Sequence, residues 1–460
     1  MNDTKNMRDV MRDPLRLLLM AQPGKAAAAL IFAVLMAAFY AISFKLCSAM
    51  EGAAVIAAAG VLGAAVMTAF AWHAIKKEHP PVIVLLCIAA LSMLAVGAHL
   101  GMLDIKPGRY SKVILPMLDE MWNYELVTAA AWEDGAWSGV YLLFMALLSR
   151  LEGFSVLYAI KLFDMICQCA AACAVMRLAQ IRGAKLYGAL AAMFACVLAP
   201  TMLLNAGLWL QCDATFAMFT LWGLVLLLED RPLPGCILWG LALGTKLQSA
   251  FIFPLLIVLF MKNRVQLRHI LALAAAFLLS QIAIVLDGQG LMSVFTRYAA
   301  QLRIARDSFG LSDSMPNIYK LMNVASVREF SGMGLYLGVA CALLVTGALL
   351  SSRRELKNDT LLLSALLLAC GLPLVLPQMN ARSLYLAIML GIACAGNARR
   401  MLAVGLMEFI SLCAYMAGVF GHNVLPMIAL ALMAIGAAVL VTLELFDAIL
   451  SEKDKGASRA

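Results

Sequence analysis

Four groups of polar residues interrupt stretches that are otherwise apolar. Lys161 and Asp164 stand three residues apart. Asn205, Trp209, Gln211 and Asp213 fall within one short segment. Lys246 and Gln248 form a third group, and Arg382 follows Pro377-Gln378-Met379-Asn380. Charged groups inside apolar runs are costly, so they face a cavity, a partner or an interface. These types suit a ligand that carries phosphate or sugar. Lys and Arg hold phosphate, a Trp ring stacks on the ligand, and Asp or Gln bonds hydroxyls. Lys161 and Asp164 could also pair with each other, because i,i+3 neighbours meet on a helix. An ion pair that merely supports the fold is the competing reading for these two.

The elements that position these residues follow from composition. The chain has 460 residues, 64% hydrophobic and only 13% charged, and a mean hydropathy of +0.91. A soluble domain holds about 25% charged residues. Apolar runs of the length that crosses a bilayer recur along the chain. The expected fold is therefore an all-α polytopic transmembrane bundle. A secreted disulfide domain, a nucleic-acid binder and a disordered chain are excluded. The net charge of +8 reads as a topology signal, since Lys and Arg collect in cytoplasmic loops. The twelve Cys lack paired spacing. Cys167, Cys169 and Cys173 cluster, but no His or carboxylate pattern joins them, so packing is the plainer reading.

The basic loops orient the chain. Residues 1–25 carry Lys5, Arg8, Arg12, Arg16 and Lys25 and belong in the cytoplasm; no cleavable signal peptide is visible. Residues 26–103 hold three spans, with Lys76 and Lys77 in a cytoplasmic turn. Residues 104–155 form a first large external loop, in which 140–148 is too short to cross and is expected to lie on the interface as an amphipathic helix. Residues 156–450 form the membrane core, with a second external loop at 287–331. Cytoplasmic turns fall at Arg177–Lys185, Glu229–Pro232, Arg353–Lys357 and Arg399–Arg400. Residues 451–460 are a cytoplasmic tail. The run 235–260 is short for two spans and reads as a pair of short helices meeting near Lys246. The count is about twelve crossings plus that pair. Both termini are cytoplasmic, and most of the polar groups above point outward.

The segment Leu204-Asn205-Ala206-Gly207-Leu208-Trp209-Leu210-Gln211-Cys212-Asp213, followed by Gly244-Thr245-Lys246-Leu247-Gln248 and Pro254, resembles bacterial relatives of the GPI-anchor mannosyltransferases. These are integral-membrane glycosyltransferases of the GT-C fold. Their pattern reads Asn, then Trp-Gly-Gln-x-Asp, then Lys-x-Gln, then Pro. Ile160-Lys161-Leu162-Phe163-Asp164 resembles the family's Lys-and-Asp helix. Gln301 with Met315-Pro316-Asn317-Ile318-Tyr319 resembles its Pro-Asn-x-Tyr segment. Pro377 to Arg382 resembles its Pro-x-Met-His-Glu-Arg turn. The likeness covers roughly residues 100–400, and the first two spans look like an addition.

The resemblance implies transfer of a hexose such as mannose from a polyprenyl-phosphate donor to an envelope glycan, lipid or protein, on the outer face of the cytoplasmic membrane. A carboxylate of the first external loop is then the expected base for the acceptor hydroxyl; Asp104 and Asp119 are the candidates, with Asp213 a third. Asn205, Trp209, Gln211, Asp213, Lys246, Gln248, Lys161, Asp164, Gln301, Asn317 and Arg382 are the candidate substrate-binding residues, with Lys246 and Arg382 facing the departing lipid phosphate. No cofactor is evident; the family likeness allows a divalent metal, for which no ligand cluster stands in this sequence. Departures from the pattern fall on the chemistry. The family's Gly-Asp-Tyr is Gly108-Arg109-Tyr110, its Trp-Gly-Gln glycine is Leu210, its His-Glu-Arg is Asn380-Ala381-Arg382, and its Tyr-Pro-Pro helix start is Trp137-Ser138-Gly139. They motivate a second reading, a non-catalytic relative that binds lipid-linked sugar or assists glycan assembly. A transporter or flippase ranks third, since such folds carry repeats and none is visible.

Overall fold

In the computed structural model the protein is an all-α polytopic helical bundle, with no strand among the described residues. The structure describes residues 23–76, 80–133, 137–322, 327–352 and 356–457. The basic residues before 23, Lys77, Arg353, Arg354 and the end of the charged tail lie outside them. Among the described residues nine helices are long and apolar enough to cross a bilayer, and they coincide with nine of the twelve expected runs. The other three expected runs correspond to shorter apolar helices over Asp213–Leu228, Leu267–Ser280 and Ala381–Cys394.

The chain forms two compact units, Met1–Gly101 and Met102–Ala460. The first holds α1 (Pro23–Leu46), α2 (Ala53–Ile75) and α3 (Val82–Leu100), all three in mutual contact. Ala57, Gly60, Ala64 and Ala71 are buried on one side of α2. Small residues at helical spacing let backbones approach when no water is present to drive association. A methyl added at Gly60 would press on the Leu100 side chain. Leu30, Val34, Ile42, Val55, Leu62 and Val66 are exposed. Such a continuous apolar outer surface is stable only against lipid.

The second unit opens with a π-helical turn over Tyr110–Ile114, then α4 (Leu115–Met121), α5 (Leu126–Ala130) and α6 (Gly139–Leu148). α6 has no polar face. It buries Tyr141, Leu142 and Met145 and exposes Leu143 and Leu147, so it packs one apolar face on the fold and shows another outward. The bundle follows as α7 (Val156–Arg182), α8 (Leu186–Leu198), α9 (Pro200–Leu204), α10 (Asp213–Leu228), α11 (Pro232–Thr245), α12 (Pro254–Met261), α13 (Leu267–Ser280), α14 (Ile282–Leu286), α15 (Met292–Phe309), α16 (Val327–Leu350), α17 (Asn358–Val375), α18 (Tyr385–Cys394), α19 (Ala398–Phe420) and α20 (Met427–Ala457). Among the long spans α7 and α17 are the most buried. Pro200, Pro232 and Pro254 each open a helix, where the missing N–H is no loss. Glycines set the tight α10–α11–α13 crossings. A methyl at Gly223 would overlap Trp239, and one at Gly240 would overlap the Leu273 carbonyl.

Charge sorts to the two ends of this unit. At one end Arg177 pairs with Glu229, Arg264 with Asp230, and Arg400 with both Asp359 and Glu444. At the other end α7 begins, α10 begins and α11 stops, and the residues of chemical interest collect there.

Candidate functional site

Asp213 is the hub. It is the first residue of α10 and fully buried. Its Oδ1 accepts from the Lys246 ammonium. Its Oδ2 lies 3.3 Å from Arg382 Nη1 and accepts from Asn205 Nδ2 at 2.9 Å. The same amide nitrogen donates to the Tyr415 hydroxyl at 2.8 Å. Trp209 meets Tyr415 edge-on at 4.7 Å, and the Arg382 guanidinium lies over the Trp209 ring at 5.2 Å. Lys246 stands 5.2 Å over Phe216. Gln248 donates to Ser383 Oγ at 3.3 Å, tying the Lys246 segment to the Arg382 turn. Residues far apart in sequence, at 205–213, 246–248 and 382, thus form one cluster, as their types suggested.

Each of these residues sits where a helix breaks. After α9 the backbone makes a π-helical turn over Asn205–Trp209, and Leu210 then takes a left-handed conformation with φ of 50°. A buried leucine here holds a backbone shape that costs L-residues about 1–2 kcal/mol. The second break follows α11, where Lys246 is extended and a 3-10 turn over Leu247–Ile252 leads to α12. Carbonyls at a helix end need donors, and in a membrane water does not supply them. Here the protein does. Gly244 O accepts from Ser138 Oγ at 3.1 Å and Gln281 Nε2 at 2.8 Å, and Leu243 O from the Tyr298 hydroxyl at 3.1 Å. Gly139, at φ of +55°, admits this approach, since a Cβ there would overlap the Gly244 carbonyl oxygen. Ser138, Gln281 and Tyr298 were not anticipated. Only the buried Gln281 at the end of an apolar run carried any signal.

The first loop reaches the same site through Arg109. Its guanidinium lies 5.4 Å over Trp137, and Trp137 packs at 6.0 Å on Tyr141. Burial, then the positive charge of Arg382, lowers the Arg109 guanidinium below its ordinary value, while Asp213 opposes this. Arg109 therefore shares its field with the Asp213 cluster.

Lys161 and Asp164 do not pair. The Lys161 ammonium donates to the carbonyls of Met102, Leu103 and Ile105 at 2.6, 3.1 and 2.6 Å, closing the turn that starts the first loop. These three carbonyls lie within reach of the ammonium and satisfy all its donors. Asp164 is fully buried, its carboxylate makes no hydrogen bond among the described residues, and it lies within electrostatic reach of Asp213. Asp104 accepts from the Tyr158 hydroxyl at 2.7 Å and is exposed. Asp119 is exposed on α4. Neither hydrogen-bonds to the Asp213 cluster.

The second loop closes over the Arg382 turn. Gln378 N donates to Leu311 O and Asp313 N to Met379 O, at 2.9 and 3.1 Å. Asn317, fully buried, caps the short 3-10 turn Ile318–Lys320 by accepting from Tyr319 N at 3.2 Å, and the Tyr319 hydroxyl donates to Val375 O at 2.7 Å. Asn317 therefore shapes the loop. Gln301, on α15, donates to Trp137 O at 3.4 Å and lines a cavity of about 300 Å³ with Trp132, Tyr298 and Arg297.

The arrangement suits an acceptor-rich ligand. Arg109 Nε, Arg382 Nε, Gln211 Nε2 and Trp137 Nε1 are buried donors that make no hydrogen bond among the described residues. Buried donors are normally satisfied, so a group of unused ones points to missing acceptors. Lys246 and Arg382 hold the Asp213 carboxylate directly, and Arg109 lies within electrostatic reach of it. No group of three or more His, Cys, Asp or Glu is placed to hold a metal ion among the described residues. No protein-family model matches the chain, and no curated protein matches it.

Proposed function

We propose that the protein is a GT-C-type membrane glycosyltransferase that takes a hexose from a polyprenyl-phosphate donor and gives it to a cell-envelope acceptor on the extracytoplasmic face. The observation that carries this reading is the set of unused N–H donors around the Arg109–Lys246–Arg382 cations. A phosphodiester supplies the negative charge and acceptor oxygens that such a set lacks. In the transfer step the acceptor oxygen forms a bond to the anomeric carbon and the bond from that carbon to the lipid phosphate breaks. The negative charge grows on the departing phosphate, where Lys246 and Arg382 stabilise it. The acceptor proton goes to a carboxylate. Asp213 is unsuited, because Lys246, Arg382 and Asn205 occupy its oxygens. Asp104 and Asp119 of the first loop remain the assigned candidates, and Asp164 joins them as a carboxylate with no hydrogen bond. In this orientation both loops face outward and both termini face the cytoplasm.

A second reading rests on Arg109. An added cation in place of an acid strengthens phosphate binding and removes a base, which describes a protein that holds lipid-linked sugar without turning it over. One experiment separates the two. Purified protein is given polyprenyl-phosphate hexose with an envelope acceptor, with neutral polyprenol as competitor. Binding that favours the phosphate and falls at least tenfold in Lys246→Gln and Arg382→Gln supports the site. Transfer lost in one of Asp104→Asn, Asp119→Asn or Asp164→Asn identifies the enzyme. Binding without transfer favours the second reading. Polyprenol competing as well as its phosphate would remove the basis of both.

A further inference from the structure

The cavity of about 300 Å³ beside α15 has a character of its own. It lies within the second unit, between the first loop, the start of α6, α14 and α15. Its wall is aromatic and held in place. Trp132 meets Tyr124 edge-on at 5.7 Å, and its carbonyl accepts from Arg297 Nη1 at 3.1 Å. Trp137 and Val294 are buried. The Tyr298 hydroxyl and Ser138 Oγ lie 3.2 Å apart and are committed to carbonyls at the end of α11. Contacts made within the protein thus fix the lining, and a ligand need not bear the cost of ordering it.

The polar groups ask for a ligand that both donates and accepts. Arg297 places its terminal nitrogens on Trp132 O, Gln289 Oε1 and Glu133 Oε1, while its Nε is buried and makes no hydrogen bond. Glu133 is exposed, and its carboxylate meets Arg297 only at 3.4 Å. An N–H that lacks an acceptor thus stands beside a carboxylate able to accept. A hydroxyl answers both. A phosphate would answer the arginine and be repelled by the glutamate, and a hydrocarbon tail would answer neither. An uncharged ligand also needs no net charge from its site. The volume lies at the small end of ligand pockets, which favours a single ring over a long chain. A saccharide ring has apolar C–H faces that lie flat on an aromatic ring and hydroxyls around its edge.

We propose that this cavity binds a neutral hexopyranose unit, with a ring face on Trp132 and hydroxyls toward Arg297 and Glu133. The proposal goes beyond the transferase reading and needs neither lipid phosphate nor transfer. In a transferase the same cavity would hold a sugar of the acceptor, since Ser138 and Tyr298 in its wall also serve Gly244, two residues before Lys246.

The test uses the full chain in a detergent without sugar headgroups. The methyl glycosides of mannose, glucose and galactose are offered, and binding is read by saturation-transfer NMR. At least one should bind saturably, and inorganic phosphate should not compete. Trp132→Leu should weaken that binding about tenfold, and Trp132→Phe should keep it within about threefold. A diazirine-bearing methyl hexoside should label the wild type at 132–133 or 296–304, which locates the site without depending on how a variant folds. Arg382→Gln, expected to lose lipid phosphate, should bind the hexoside as the wild type does, so failure of one site is told apart from failure of the other. Binding by none of the glycosides, or equal binding by tetrahydropyran, which has the ring without hydroxyls, would overturn the proposal. Competition by phosphate, labelling confined to other segments, or undiminished binding in a folded Trp132→Leu protein would do the same.

Discussion

Neutralising Asp213 is the sharpest probe of the site. Asp213→Asn keeps the shape and removes the charge. Lys246 and Arg382 then face each other, with Arg109 in the same field, and their side chains are only 16% and 12% exposed. Removing one partner of a buried ion pair costs about 3–5 kcal/mol, because the remaining charge is stranded. The slight exposure of both cations places the expectation near the lower end, about 3 kcal/mol. The effect on an anionic ligand has the opposite sign. A phosphate roughly 6 Å from Asp213 is repelled by about 3 kcal/mol at an effective dielectric of 20. Asp213→Asn should therefore be less stable than the wild type when empty and gain more from a short-chain polyprenyl phosphate. Thermal unfolding in detergent, with and without the lipid, reads both quantities. Adding Lys246→Gln to Asp213→Asn should recover part of the lost stability, giving a coupling of at least about 1 kcal/mol between neighbours. An Asp213→Asn protein as stable as the wild type, with unchanged lipid stabilisation, would refute the claim that this carboxylate organises a cationic site.

Five further substitutions, at four positions, test the architecture, each by unfolding midpoint in detergent. Lys161→Met strips donors from three carbonyls and should cost about 2–4 kcal/mol, whereas Asp164→Asn, which breaks no hydrogen bond, should stay within about 1 kcal/mol; equal costs would restore the ion pair that the structure lacks. Gly139→Ala introduces a left-handed penalty of about 1–2 kcal/mol and an overlap with the Gly244 carbonyl, so it should destabilise by more than 2 kcal/mol and weaken lipid-phosphate binding by moving Lys246. Leu210→Gly loses a fully buried side chain but relieves the left-handed backbone. It should therefore be less damaging than Leu210→Ala by about 1 kcal/mol, and the reverse order would show that the backbone is unstrained there.

Much of the bundle was legible because lipid enforces a simple code. Apolar length marks the helices, and the break at Lys246 could be read from a run too short for two spans. The convergence of Asn205, Asp213, Lys246 and Arg382 was foreshadowed by polar residues that hydrocarbon would not tolerate alone. Three things were hidden, each for a physical reason. Local spacing suggested a Lys161–Asp164 pair, but backbone carbonyls more than fifty residues away offered the ammonium better partners. The short run at 140–148 implied an amphipathic helix, yet all its exposed residues are apolar, because the partners that bury its other face lie far off in sequence. Ser138 and Tyr298 looked like ordinary loop residues, because their role is to serve carbonyls of a distant helix end, which no periodicity records.

The breaks and the site are one construction. An unserved carbonyl or N–H in hydrocarbon costs several kcal/mol, so an interrupted helix survives only where other parts of the protein supply hydrogen bonds. At the α11 end Ser138, Gln281 and Tyr298 supply them from three separate elements. At the 377–383 turn Gln378 N donates to Leu311 O and Asp313 N donates to Met379 O across the loop, and Asn380 Oδ1 accepts from Arg382 N at 3.1 Å. Asp213, Lys246 and Arg382 stand directly at these interruptions. The contacts that make each break tolerable therefore also fix where its charged side chain sits. Such a site is assembled from the loops inward, and it cannot hold its cations in place unless residues 138, 298 and 311–313 are docked. That explains why two long polar loops accompany a handful of buried charges in a chain that is otherwise so apolar.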